Sequence, residues 1–451
     1  MELKGKKVLV FGSGISGIGA ADLLGKEGAL PIIFDGNDKL SEKDILHKTR
    51  GDYPLEVYIG ELPKEVQLSL DLAVLSPGVP TDIPQVKRLY ELGISVWGEV
   101  ELAYQVGKGT VLAITGTNGK TTTTALLGKI MADHQDSVFV VGNIGNAYTS
   151  AASQMKEESV TVAEISSFQL ETIETFAPHV SAILNITEDH LNRHHTMEEY
   201  IRVKELITKN QGCDDYCILN YEDEILRKFG ENLTPRVIYF SSVRELDEGI
   251  FLRDGRIILR LDKKEIPFMK TQQLRILGRH NHENAMAAIA MAYVAGVSAE
   301  EICRSVCNFQ AVEHRIEFVE EKDGVAYYND SKGTNPDAAI KGIQAMDRPT
   351  LLIGGGFDKG SEYDEWIQSF DGKVRYLVLI GQTREKIQEA ANRLGFHDCI
   401  LAENLEEAVK ICAKKANPGD AVLLSPACAS WGQFDNYEQR GNMFKEYVHS
   451  L

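Results

Sequence analysis

Three successive series of apolar, strand-like runs, each alternating with helical stretches, predict an α/β chain of three domains. Length agrees, because 451 residues suffice for about two to four separate cores. Glycine-rich turns directly after the apolar runs ending at Phe11 and Thr115 agree as well, since parallel sheets bind ligands at such strand ends. The expected boundaries are 1–98, 99–312 and 313–451. Fixed-period repeats and low-complexity segments are absent from the sequence, which argues against a solenoid and requires short linkers.

In the first series, Lys7–Phe11, Leu30–Phe34 and Leu72–Leu75 read as strands of a Rossmann-like sheet. Gly12-Ser13-Gly14-Ile15-Ser16-Gly17 lies between the first strand and its helix, and Asp35 closes the second strand, an arrangement that puts a ligand phosphate at a helix start. The last two glycines stand closer than in the full dinucleotide fingerprint, which argues against NAD; close helix–strand packing alone is the other reading.

The second series begins near Trp97 and carries Ile114-Thr115-Gly116-Thr117-Asn118-Gly119-Lys120-Thr121-Thr122. Val111–Ile114 reads as a buried strand and Thr121–Ile130 as a helix, so the glycine turn between them predicts a P-loop that handles a nucleoside triphosphate such as ATP. Lys120 supplies a point charge for the terminal phosphates, and the Thr121 hydroxyl can ligate Mg2+. Only Thr117 and Asn118 separate the two glycines, so the loop is shorter than the common pattern. Further strands are expected at Val138–Val141, Val160–Glu164 and Ala182–Ile186, making a central P-loop domain with a mostly parallel sheet. Glu164, at a strand end, is a carboxylate placed to ligate magnesium, or else to cap the helix beside Ser166 and Ser167. The polar run Asn185–His195 suggests a second cation or phosphate contact. Beyond Asn210, hairpin strands with Asp254-Gly255 as a tight turn read as an appendage of the central domain.

The third series starts around Val312, with strands at Val325–Tyr328, Thr350–Ile353, Tyr376–Ile380 and Ala421–Leu424, and predicts a C-terminal Rossmann-like domain.

Composition excludes several classes. At 43% hydrophobic and 25% charged the chain matches an ordinary globular protein, and a net charge of −18 opposes binding to nucleic acid or to an anionic membrane. Seven cysteines without a C-x-x-C pair indicate neither a zinc site nor a disulfide framework, and fit a reducing compartment. The N-terminus enters a strand directly and no apolar run is long enough to span a membrane, so a cytoplasmic location is expected.

Taken together, Thr115-Gly-Thr-Asn-Gly-Lys-Thr-Thr122, Gly142-Asn-Ile-Gly145, Glu164-Ile-Ser-Ser-Phe-Gln169, Asn185-Ile-Thr-Glu-Asp-His190 and His314-Arg315 resemble the Mur ligases, ATP-dependent amide-forming enzymes of peptidoglycan precursor synthesis. Asn329-Asp-Ser-Lys332 and the tail Ser425–Gly441 resemble the branch that adds D-glutamate. The resemblance covers essentially the whole chain and implies a UDP-binding, an ATPase and an amino-acid-binding domain. It implies UDP-N-acetylmuramoyl-L-alanine, D-glutamate and ATP as substrates, two magnesium ions and a monomer.

By the same resemblance, Ile15, Ser16, Asp35 and the Ser76-Pro77-Gly78 turn hold the UDP part, although Gly36 and Asn37 stand where the family often has a hydroxyl or a basic residue. Asn143, Ser166 and His190 face the sugar-peptide substrate. ATP meets Gly116 to Thr122, then Asn284, Arg315 and Asp330. Lys332, Thr334, Ser430, Trp431 and Tyr437 hold D-glutamate, with Trp431 where leucine is frequent. Thr121, Glu164, His190 and a carbamylated Lys204 ligate the metals, and Lys120, His190, Lys204 and Arg315 are the catalytic set. Without the resemblance, Lys204 reads as a solvated lysine on a helix, and Asn281, Asn284, Arg315 and Asp330 as ordinary polar surface. Other amide ligases of the family, the folylpolyglutamate type included, and a catalytically silent nucleotide-binding relative are the alternatives.

Overall fold

Most apolar runs that read as strands are followed by a turn and a helix too long for a hairpin, and the chain accordingly builds mostly parallel sheets. The computed structural model describes residues 2–143, 146–310 and 312–451; Ile144 and Gly145 of the Gly142–Gly145 segment lie outside the described residues. Among the described residues there are three sheets and two compact units, Met1–Thr271 with Glu283–Val306, and Gln272–His282 with Cys307–Leu451.

The first unit holds two sheets. Strands β1 (Lys7–Phe11), β2 (Leu30–Asp35), β3 (Glu56–Ile59), β4 (Leu72–Leu75) and β5 (Ser95–Gly98) are all parallel in the order β3-β2-β1-β4-β5. Trp97, expected to open the second series, is instead in the edge strand of this first sheet, paired with Val74. The second sheet comprises β6 (Thr110–Thr115), β7 (Val138–Gly142), β8 (Val160–Glu164), β9 (Val180–Ile183), β10 (Tyr216–Asn220), β11 (Arg236–Ser241), β12 (Gly249–Arg253), β13 (Arg256–Leu261) and β14 (Lys264–Lys270). Its order is β14-β13-β12-β11-β10-β9-β6-β8-β7, parallel from β7 through β12 and antiparallel across the last two pairings. Thus the hairpin at Asp254 and Gly255, both with positive φ, belongs to the central domain as expected, and it does so by extending the central sheet.

A single hydrophobic cluster runs from Val8 and Leu24 of the first sheet layer through Val100 and Tyr148 to Ala113, Ile183 and Leu226 of the second. The helix Lys120–His134 buries Leu126, Leu127, Ile130 and Met131 on the central sheet, each contributing about 1.5–3 kcal/mol.

The second unit carries β15 (Glu317–Lys322), β16 (Val325–Asn329), β17 (Thr350–Gly354), β18 (Val374–Leu379), β19 (Cys399–Leu401) and β20 (Ala421–Leu424) in the order β15-β16-β20-β17-β18-β19. Only β15 is antiparallel to its neighbour. Placing β20 between β16 and β17 brings the ends of β16 and β20 side by side, and their following loops carry Asp330 to Thr334 and Ser425 to Trp431.

Candidate active site

Strand β6 delivers the chain to Gly116, whose φ of +142° and whose approach to Leu184 leave little room for a side chain. At Gly119, φ is +87° and an added Cβ would lie 2.2 Å from Asn284 Oδ1, so glycine is required there and Asn284 sits over the turn. The turn is braced from the β9 side. Thr117 N donates to Asn185 O at 2.9 Å, Asn118 N to Asn185 Oδ1 at 2.8 Å, and Asn185 Nδ2 to Asn118 O at 3.0 Å. Thr187 N donates to Thr117 Oγ1 at 3.1 Å, and the Tyr200 hydroxyl lies 3.0 Å from the same oxygen. Asn185, read from sequence within a cation or phosphate cluster, therefore spends its side chain on shaping the loop.

The helix Lys120–His134 starts with no side-chain cap, so Lys120, Thr121 and Thr122 present its first backbone N–H groups and the positive end of its dipole. Lys120 Nζ folds back onto the carbonyls of Gly116 and Thr117 at 2.8 and 2.9 Å. Lys204, on the helix Met197–Glu205 begun by a Thr196 cap, is only 2% exposed and donates to the same Gly116 carbonyl at 2.9 Å. Burial, with the nearby Lys120 charge, pushes the Lys204 amine down to about 7 against a weaker opposing pull from Asp189. A lysine read from sequence alone as solvated is thus buried beneath the phosphate loop.

Register places the carboxylate. Glu164 ends β8 opposite Ile114 on one side and Gly142 on the other, beside the loop's entry. Its Oε1 accepts from Asn143 Nδ2 at 3.0 Å, whereas Oε2 is buried with no hydrogen-bond partner among the described residues. An orphaned, buried carboxylate oxygen suits a hard cation, which fits the magnesium expectation. Among the described residues no three His, Cys, Asp or Glu side chains gather as a metal centre. Ser166 caps the helix Ser167–Leu170 in a reciprocal box with Gln169, so the capping role sequence reading gave to Glu164 falls to Ser166. His190 has φ +55° and lays its ring against Phe168 with centroids 5.0 Å apart.

In the first sheet, Asp35 is not a free carboxylate. Its Oδ2 accepts from Ser13 N and Oγ at 2.9 and 2.6 Å, and Oδ1 from Asn37 N at 3.0 Å. Burial raises its pKa, but these bonds and the Lys48 charge outweigh that and hold it below the usual carboxylate value. Gly17 needs to be glycine because a Cβ would lie 1.9 Å from Gly12 O, and Ser76 packs on Gly12 from the Ser76-Pro77-Gly78 turn. Ile15 is 88% exposed at the helix start beside Ser16. A cavity of about 480 Å³ opens there, lined by Gly14, Ile15, Lys26, Lys48, Arg50 and Asn146 among others. Lys26, Lys48 and Arg50 were not singled out from sequence, since their convergence depends on the loop after Leu46.

Within the second unit, Asp330 and Arg315 lie together. Ser425 Oγ donates to Asp330 Oδ2 at 2.6 Å, and burial pushes the Asp330 carboxyl up to about 7 despite that bond and the Arg315 charge. Arg315 Nε is buried without a hydrogen-bond partner among the described residues, a donor ready for an anion. Lys332 Nζ stands 5.6 Å above the Tyr437 ring. Thr334 N donates to Lys332 O at 2.9 Å, Ser430 is buried, and Trp431 is 54% exposed against Phe357 and Lys359. A residue that sequence reading missed organises these loops. Arg440, fully buried, donates to Ser331 Oγ and O and to Cys428 O at 3.0, 2.8 and 3.1 Å, tying the two loops together. Its only sequence signal is its place in the Ser425–Gly441 tail.

Comparison with known proteins matches this layout along the chain. Family models described as Mur ligase MurD-like N-terminal domain, Mur ligase middle domain and Mur ligase glutamate ligase domain match residues 6–98, 114–292 and 314–428. A protein of Lachnoclostridium phytofermentans named UDP-N-acetylmuramoylalanine--D-glutamate ligase is 56% identical over 451 residues, covering 100% of this chain and 99% of that one. One of the same name from Clostridioides difficile is 46% identical, covering 100% of each. Among solved structures, a UDP-N-acetylmuramate-alanine ligase of Thermotoga maritima aligns with TM-score 0.60 at 19% identity over 99% of each chain. A MurF ligase of Thermotoga maritima in complex with ADP aligns with TM-score 0.59 at 17% identity over 99% of this chain and 96% of the other, a likeness of fold alone. No helix among the described residues is long and apolar enough to cross a membrane. On the family models and the full-length identities, this chain belongs to the Mur ligase family.

Proposed function

We propose that this chain joins D-glutamate to UDP-N-acetylmuramoyl-L-alanine at the expense of ATP, in cytoplasmic assembly of peptidoglycan precursors. The observation that carries the reading is likeness over the whole chain to ligases of that name; Lys204 buried against the Gly116 carbonyl, and separately the Arg440-tied loops, support it. The domains divide at 98/99 and 312/313, and the chain acts as a monomer.

A carboxylate is a poor electrophile, so ATP first phosphorylates the alanyl carboxylate. The free amine of D-glutamate then attacks the acyl phosphate, and the tetrahedral intermediate collapses to the amide with loss of phosphate. Gly116 to Thr122 cradle the phosphates with backbone N–H groups, and Lys120 turns from the loop carbonyls to the transferring phosphoryl group. Arg315 contributes its unpartnered donor to the same negative charge, while Asn284 and Asp330 hold the nucleoside. Asn143, Ser166 and His190 face the sugar-peptide. Lys332, Thr334, Ser430, Trp431 and Tyr437 hold D-glutamate, a cation and hydroxyls meeting a dicarboxylate.

Thr121, Glu164, His190 and Lys204 as a carbamate would hold two magnesium ions, Glu164 through its unpartnered oxygen, and the cations would screen the repulsion between carboxylate and phosphate. For the UDP part, Ile15, Ser16, Asp35, Ser76, Pro77 and Gly78 shape the site, and Lys26, Lys48 and Arg50 supply charge for the diphosphate.

The test is phosphate release from purified protein given UDP-N-acetylmuramoyl-L-alanine, ATP and one amino acid at a time. Release is expected with D-glutamate; release only with another amino acid would overturn the assignment.

A further inference from the structure

His190 begins a helix, Leu191–His194, of four residues, too short to hold itself in place, and it does so in a left-handed conformation unfavourable for a side-chain-bearing residue. Something outside the helix must fix its orientation, and two of its own side chains reach out to do so. Arg193 makes a two-point pair with Glu171, Nε to Oε1 at 3.2 Å and Nη2 to Oε2 at 2.6 Å, and both side chains are nearly buried. The same Nη2 donates to Val79 O at 3.0 Å, next to the Ser76-Pro77-Gly78 turn, and Thr81 Oγ1 donates to Glu171 Oε2 at 3.3 Å. The Arg193 guanidinium also lies 4.9 Å from the Phe168 ring centre, and Phe168 carries the His190 ring. His194, buried behind it, meets Ser167 Oγ at 2.9 Å.

One guanidinium therefore touches three things: the carboxylate of Glu171, the turn after β4, and the aromatic ring that His190 rests on. Surface ion pairs between flexible chains do not have this character, and this one is desolvated, planar and shared with a backbone carbonyl. We propose that Arg193, paired with Glu171, is the positioning residue for His190, and that it couples the Ser76-Pro77-Gly78 turn to His190 so that nucleotide-substrate binding and setting of the imidazole are one event. This rests on the reading given above of that turn as a UDP-substrate contact. Arg193 itself touches neither reacting group; it acts through Phe168 and the one-turn helix.

The test uses the full chain with Arg193→Lys, which keeps the charge and loses the two-point geometry, and Glu171→Gln, which keeps an acceptor and loses the charge. In both, kcat/KM for UDP-N-acetylmuramoyl-L-alanine is expected to fall about tenfold while KM for ATP moves less than about twofold. A second readout needs no turnover: the His190 imidazole NMR signal, assigned through His190→Gln, shifts when UDP-N-acetylmuramoyl-L-alanine is added to the wild type, and fails to shift in Arg193→Lys at the same substrate saturation. An equal shift in wild type and variants, or unchanged kcat/KM in variants that melt cooperatively, overturns the proposal. If the wild type releases no phosphate with D-glutamate but its His190 signal still responds through Arg193, the assigned reaction fails and the coupling stands.

Discussion

Lys120 and Lys204 donate to one carbonyl oxygen, that of Gly116, from 2.8 and 2.9 Å. Two amines on one acceptor in a buried place repel if both are charged, and Lys204 is the more buried of the two. Its amine titrates at about 7 instead of 10.5, so near neutrality a large share is the uncharged nucleophile that attacks carbon dioxide, losing a proton to give the carbamate.

Carbamylation of Lys204 should therefore follow pH and carbonate supply. Activity is expected to drop in buffer stripped of carbon dioxide, most steeply below about pH 7, and to return on adding bicarbonate. Lys204→Arg, which cannot form the carbamate, should lose about 100-fold or more in kcat. Full activity without carbon dioxide would count against the modification. The same shift has a stability consequence: the folded pKa lies below the unfolded one, so between about 7 and 10.5 the unfolded chain binds more protons and stability rises with pH. Lys204→Met should lack that rise in a comparison of melting curves.

Gly119→Ala should damage the loop without disturbing the sheet. The new Cβ meets Asn284 Oδ1 at 2.2 Å and the residue must hold φ +87°. The backbone alone costs about 1–2 kcal/mol. Isothermal titration is expected to show ATP affinity down about tenfold or more, because the displaced N–H groups no longer converge on the phosphates. Far-UV circular dichroism should be unchanged, and an ATP affinity equal to wild type would show that the turn tolerates the methyl.

The fold was largely legible because long apolar strands and glycine turns report themselves through local pattern. Short or polar edge strands did not: Glu56–Ile59, Glu317–Lys322 and Cys399–Leu401 lack a sustained apolar face, and pairing with a neighbour defines them. Trp97 misled because a strand's sheet is a matter of tertiary pairing. In the site, the glycine turn between the strand ending at Thr115 and the helix starting at Lys120 could be read from local pattern. Lys204, Arg440 and the pair Arg193–Glu171 could not, because a buried charge looks like a surface charge until the elements around it pack.

Asp330 should reveal itself in the pH dependence of stability. Its folded pKa of about 7 lies above the ordinary 3.8, so its neutral form stabilises the fold below about 4, and that contribution is lost as pH rises through about 7. Asp330→Asn holds the neutral shape at every pH. The melting temperature of the variant relative to wild type is therefore expected to climb between about pH 5 and about pH 8 in ligand-free protein. A constant difference across that range would mean that Asp330 is ionised throughout.

Lys48 provides the last test, of whether the first sheet holds the diphosphate proposed above. Asp35, the carboxylate at the end of β2, has both oxygens committed to Ser13 and Asn37, and the positions after it, Gly36 and Asn37, carry no charge. Lys48 is close enough for its charge to be felt by Asp35, and with Lys26 and Arg50 it lines the cavity at the start of the Ile15–Lys26 helix. Asp22 lines the same cavity, but its Oδ1 already accepts from Arg50 N and the Tyr53 hydroxyl at 2.9 and 2.6 Å. The cations there thus exceed the acid, and an anion is what the cavity would favour. Lys48→Ala is expected to raise KM for UDP-N-acetylmuramoyl-L-alanine about five- to tenfold, with kcat and KM for ATP nearly unchanged, the pattern of lost ground-state binding. Because the contact is exposed and electrostatic, the gap between wild type and variant should shrink as salt is raised toward about 1 M. A KM equal to wild type at low salt would move the diphosphate away from this cavity and leave the helix N–H groups and the Ser76-Pro77-Gly78 turn to hold it without a cation.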